Sequence, residues 1–337
     1  VFNSTAPTST VFSLGVGAGA NTASATYVAY CFAEVAGYSK FGSYTGNGST
    51  DGPFVFTGFR PAYVLYKGSS TSGGAWDIHD DTRSPSNEAV QTLFANTAGA
   101  EGGVAIDILS NGFKIRDTSA NANSSGVTYA NQMFRRAPGF FDVVCYTGDG
   151  TGAKAFTHNL GVAPGLMIVK ARSTTGNWPV YFGDKDGSCY LNLTNANNNP
   201  NGTWGGIAPT STNFTVSGAY NANPNTYVAY LFATCPGVSK IGSYTGNGSS
   251  QTINCGFAAG ARFVMIKRTN STGDWYIWDT SRGIITGNDP YLRINSSAAE
   301  VTTNDSVDPV SSGFVVNQDA ATNINVSGAT YIYLAIA

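Results

Sequence analysis

The sequence predicts an all-β protein of tandem β-sandwich units, jelly-roll-like and about 100 residues each, in an alternating repeat. Three observations carry this: the composition, an internal repeat, and the spacing of strand-like words. Only 11% of the 337 residues are charged, about half the usual share. Ser, Thr, Asn and 41 glycines supply polarity and turns, while 18 Tyr and 19 Phe supply burial. Aromatic and β-branched residues punctuated by Gly and Asn fit strands better than helices.

The repeat sets the element order. "TYVAYCFA" (26–33) returns as "TYVAYLFA" (226–233), and "KFGSYTGNGS" (40–49) as "KIGSYTGNGS" (240–249). Trp76 faces Trp275, Arg83 faces Arg282, and "SNGF" (110–113) faces "SSGF" (311–314). A fainter match at half that shift pairs "CYTGDGTG" (145–152) with "SYTGNGS" and "TTGNW" (174–178) with "STGDW" (271–275). Two unlike units, A and B, therefore alternate: the C-terminal part of an A unit (1–33), a B unit (34–134), an A unit (135–233) and a B unit (234–337). The missing opening of the first unit suggests a piece of a longer chain.

Within each unit "YVLYK" and "FVMIK" read as strands bounded by Pro or Gly and a polar turn. "YLRIN" (291–295) and "YLNLT" (190–194) alternate with period two, as half-buried strands do. The helix-like window 87–96 aligns with "YLRIN", so its 93–96 part is assigned to strand.

The chemistry is sparse. Gly46, Asn47 and Gly48, repeated as Gly246, Asn247 and Gly248, place an Asn-Gly pair between strand-like flanks and predict hairpin turns rather than a phosphate loop. "GVGAGA" (15–20) has no following helix to hold a pyrophosphate. His79 and His158 stand in different units, and no GxSxG elbow occurs. Asp77 and Asp80 in "WDIHDDTR" suggest a glycosidase pair, but Asp80–Arg83 recurs as Asp279–Arg282, which reads as a strand-end turn with its ion pair. "GDKDGS" (183–188) lacks the later ligands of a calcium loop. No metal set and no cofactor motif is assigned.

Five cysteines lack CxxC spacing; Cys235 and Cys255 are the pair considered for a bridge. Trp76, Trp178 and Trp275 recur in every unit and read as packing. Trp204 and Trp278 are unique to their units, which makes them the candidates for stacking on a glycan. A net charge of −2 without a basic block argues against nucleic acid, and no apolar run has the length to enter a bilayer as a helix.

These words as a group, "YTGNGS…FRPAYVLYK…STGDWYIWD…SSGF…SGATYIYLAIA" alternating with "YTGDG…GVAPGLMIVK…TTGNW…APTST", resemble repetitive virion proteins of marine bacteriophages over essentially the whole chain. "TYANQMFRR" (128–136) departs from the pattern and puts the B–A junction in question as a repeat boundary. The resemblance implies a non-enzymatic structural or adhesive role at the virion surface: tail fibre, appendage or capsid decoration. It implies other virion proteins as partners, homo-oligomers, and a host surface glycan as a possible ligand. A carbohydrate-binding module and a cell-surface filament protein stay open as alternatives. Tandem sandwiches, each with its own core, would build a rod.

Overall fold

In the computed structural model residues 36–71, 74–197 and 202–337 are described. The chain divides into Val1–Cys31 and Phe32–Ala337. The partial A unit, Cys31 and the glycine run at 15–20 lie outside the described residues.

The second unit is all-β and antiparallel. Its first sandwich comprises β1 (Ser39–Thr45), β2 (Phe54–Phe56), β3 (Tyr63–Gly68), β4 (Asp77–Asp80), β5 (Ala89–Phe94), β6 (Gly102–Leu109), β7 (Gly112–Ile115) and β8 (Thr128–Phe134). The second comprises β9 (Phe141–Thr147), β10 (Lys154–Thr157), β11 (Leu166–Ala171), β12 (Pro179–Tyr181), β13 (Cys189–Tyr190), β14 (Asn213–Val216) and β15 (Thr226–Phe232). The third comprises β16 (Ser239–Thr245), β17 (Gln251–Asn254), β18 (Phe263–Arg268), β19 (Trp275–Asp279), β20 (Leu292–Arg293), β21 (Val307–Val310), β22 (Gly313–Val316) and β23 (Thr330–Ile336).

Each sandwich has an inner sheet of one topology: β1-β8-β3-β4-β5, β9-β15-β11-β12-β13 and β16-β23-β18-β19-β20. Outer strands cover one face: β6-β7-β2, continuous through β5 with the inner strands of the first sandwich, and β10-β14 and β21-β22-β17 as separate sheets in the other two. Strand β5 takes 89–94 of the helix-like window, so 93–94 are strand as the alignment with "YLRIN" expects, while 95–96 form a turn instead. "TYANQMF" forms β8 and pairs with β3 in the register by which β15 pairs with β11 and β23 with β18. Its broken alternation is therefore a substitution within a regular strand, with Asn131 and Gln132 buried.

The inner sheets are buried on both faces. Along β15, Tyr227, Ala229 and Leu231 pack into the sandwich's own core, while Val228, Tyr230 and Phe232 point to the opposite face. Along β23 the same alternation separates Tyr331, Tyr333 and Ala335 from Ile332, Leu334 and Ile336. The second set from all three sandwiches merges into one central cluster, in which Phe41 stacks on Phe263 and Tyr63 meets Tyr230. This departs from the expected rod of separately cored units. Double burial explains why these strands read as nearly unbroken apolar runs.

The contacts around the centre run in one sense and close. Trp76 Nε1 donates to the Arg293 carbonyl (3.1 Å), Trp275 Nε1 to Tyr190 (2.8 Å) and Trp178 Nε1 to Thr97 (2.8 Å). The buried ammoniums of Lys67, Lys267 and Lys170 repeat the circuit onto the carbonyls of Ser297, Thr194 and Ala98. A head-to-tail contact that closes after three copies makes a ring, here within one chain.

Candidate functional site

The glycine words that open each sandwich are chain crossings. Strand β1 pairs with β8 whereas β2 pairs with β7, so Gly46, Asn47 and Gly48 link two sheets and form no hairpin. The same correction holds for Gly246, Asn247 and Gly248 between β16 and β17. A type I′ turn needs positive φ at both central residues. Gly48 and Gly248 have it, but Asn323 is the one described non-glycine residue that does. The word is instead clamped by a buried asparagine. Asn47 N–H donates to Asn123 Oδ1 (2.8 Å) and Gly48 N–H to the Asn123 carbonyl (2.9 Å). Asn325 holds Asn247 and Gly248 identically, and Asn221 holds Asp149 and Gly150. Gly46 N–H is taken by Val127 and Ser49 N–H by Asn47 Oδ1. With these amides engaged, no cradle is left for a phosphate.

The tryptophan candidates are corrected too. Trp204 is 1% exposed and donates its indole N–H to the Gly187 carbonyl (3.0 Å). Trp278 is 0% exposed, packed between Tyr276 and Tyr291. Neither ring can receive a sugar face. They are unique because each sandwich fills its own core differently; His79, Tyr181 and Trp278 occupy one register position opposite Val64, Met167 and Val264. The recurrent Trp76, Trp178 and Trp275 pack in the central cluster, as expected.

Asp80 and Asp279 are structural. Asp80 Oδ1 accepts the Thr82 and Arg83 amides, and its Oδ2 accepts Arg83 Nε and the Tyr230 hydroxyl. Burial alone would raise this carboxyl, but Arg83 and the hydrogen bonds hold it below the usual carboxylate range. Asp77 lies three residues earlier on the strand, hence on the opposite face, so the two form no glycosidase pair. His79 is fully buried with Nε2 3.0 Å from the Tyr66 hydroxyl, and burial pushes it down to about 3. His158 sits in the second sandwich, 3.2 Å from the Thr210 carbonyl.

Among the described residues no three His, Cys, Asp or Glu side chains converge as a metal set. The described cysteines, Cys145, Cys189, Cys235 and Cys255, are free thiols. Cys235 packs against the central cluster and Cys255 in the third sandwich's own core, so the pair considered for a bridge is separated by a sheet. No helix among the described residues is long and apolar enough to cross a membrane.

What remains is a groove of about 630 Å³ between the second and third sandwiches. Phe182 and Asp184 wall it from the loop after β12, and Ser243, Thr245, Thr269 and Thr330 from the third sandwich. Its origin is a break in the three-fold pattern. The first sandwich ties Asp80, Arg83 and Glu101 together, and Glu101 also grips Arg172 of the second. The third ties Asp279, Arg282 and Glu300. In the second sandwich the matching positions hold Phe182, Lys185 and Asn197, and Lys185 pairs instead with Asp186. Thr269 occupies the place of Arg172, since the Asn197 amide donates to Thr269 as the Glu101 amide does to Arg172. The groove lies at the junction that lacks these arginines. Sequence reading missed it, although the absence of an Asp-x-x-Arg word from the A unit was its signal.

The fold thus defines a protein of antiparallel β-sandwich repeats closed around a shared core. The chain belongs to the family described as Domain of unknown function (DUF7483), which matches residues 1–138 and again 135–337. No curated protein matches it.

Proposed function

We propose that this chain is a non-enzymatic structural and adhesive protein of a bacteriophage virion surface. The observation that carries the reading is the closed ring of three sandwiches bonded through Trp76, Trp178 and Trp275. Among the described residues the heterologous contacts close after three sandwiches, which favours a compact knob or capsid decoration over a fibre shaft. Joining by apolar burial, indole hydrogen bonds and the buried ammoniums of Lys67, Lys170 and Lys267, with the largely buried Glu101–Arg172 pair, keeps it intact across ionic strengths, since buried charges are screened little by salt. The resemblance of the repeat words to marine phage virion proteins supplies the particle, with other virion proteins and further copies as partners.

Electron cryo-microscopy of purified particles, compared with and without an antibody fragment against the chain, tests this. Extra fragment density at fixed positions on the particle surface is expected. Fragment binding to host-cell filaments, with none on particles, would replace the reading by that of a cell-surface filament protein.

A further inference from the structure

We infer that the groove between the second and third sandwiches binds a neutral oligosaccharide. The inference rests on the adhesive reading and supplies its ligand class.

The lining decides the class. It carries one carboxylate, Asp184, and no cationic side chain, so an acidic polymer would meet repulsion with nothing to pair it. A purely apolar ligand would strip water from Asp184, Ser243, Thr245 and Thr330 without replacing their hydrogen bonds. A neutral sugar satisfies both sides. Its hydroxyls donate to Asp184 and exchange hydrogen bonds with the threonines, while its C–H face lies against the half-buried Phe182 ring. The volume falls within the usual range for small-ligand clefts, roughly 300–1,000 Å³. Asn197, which does not line the groove but donates through Nδ2 to Asp184 Oδ2 (2.9 Å), adds a second pointer. Its Oδ1 is buried without a hydrogen-bond partner, at the position where the other two sandwiches place Glu101 and Glu300 on an arginine. Without an arginine at this junction, Asn197 Oδ1 has no partner, while its Nδ2 turns to Asp184 Oδ2.

The test uses the full chain on an array of neutral hexose and 6-deoxyhexose oligomers beside uronate-containing ones. Binding to neutral oligomers is expected. Phe182→Ala and Asp184→Ala should each weaken it about tenfold, the cost of losing one good contact. Thr330→Arg, which fills the groove and brings in a cation, should abolish it. Thr128→Arg, at the equivalent strand position of the first sandwich, should leave it unchanged. Thermal midpoints within a few degrees of the parent certify that the variants fold. No binding to any neutral oligomer, binding to uronates alone, or full binding by Thr330→Arg would each overturn the inference. Glycan binding that survives when imaging removes the chain from the virion would overturn its location and leave the groove standing.

Discussion

At Gly46 the chain runs so close to the opposite turn that a methyl group would overlap the Ser124 carbonyl, and Gly246 meets the Val326 carbonyl in the same way. Gly46→Ala should therefore cost about 2 kcal/mol through forced backbone movement, read as a lowered denaturation midpoint with an unchanged slope. Asp77 predicts a change of opposite sign. It is fully buried, the Tyr66 hydroxyl is the one hydrogen-bonding group beside it that opposes the shift, and burial still pushes its carboxyl well above the ordinary range. As pH rises past the ordinary carboxylate value the unfolded chain ionises first, so folded stability falls from there upward. Asp77→Asn should equal the parent near pH 3 and exceed it by about 2 kcal/mol at pH 7. His79 works the other way: it stays neutral down to about 3, so stability is lost as pH falls below the ordinary histidine value. The variant is therefore compared with the parent by chemical denaturation at each pH. An equal stability at pH 7 would place a compensating partner beside Asp77.

Strand ends hold the three sandwiches together, and equivalence makes the consequences regular. Trp76, Trp178 and Trp275 each bury an indole and spend its N–H on a neighbouring sandwich. Replacement by Phe keeps most of the ring and removes one bond, so each should cost about 1 kcal/mol by calorimetry. Unequal costs would mean that the junctions are energetically distinct. The lysines report on protonation. Burial pushes Lys170 and Lys267 down to about 8, so the folded chain releases these protons before the unfolded chain does. Their unfavourable contribution fades as pH climbs from 8 toward 10. Lys267→Met should flatten that part of the stability profile, whatever its effect on absolute stability.

For the whole molecule, the shared core has a thermodynamic consequence. An excised second sandwich would expose Phe140, Phe141, Val143, Ile168, Val228 and Phe232, all buried in the central cluster. Residues 135–233 alone should therefore aggregate or stay unfolded, as a large exposed apolar face dictates. The full chain should melt its three sandwiches in one calorimetric transition, with van't Hoff and calorimetric enthalpies agreeing for that transition. Three resolved transitions would return the molecule to the independent units that the repeat alone suggests.

The all-β class and most of the strands were legible in the sequence because they follow from local pattern: apolar runs, alternation, and glycine where the backbone crosses. The pairing of Asp80 with Arg83 was legible for the same reason, lying three residues apart and recurring as Asp279 with Arg282. Tertiary structure alone decided the rest. It buried Trp204 and Trp278, which uniqueness had marked as surface, because sandwich interiors vary from copy to copy while the ring contacts recur. It also turned three sandwiches inward on a common core and opened a groove where the second lacks the arginine of the others. Those outcomes depend on which sheet faces meet, a long-range choice that single-chain periodicity does not encode.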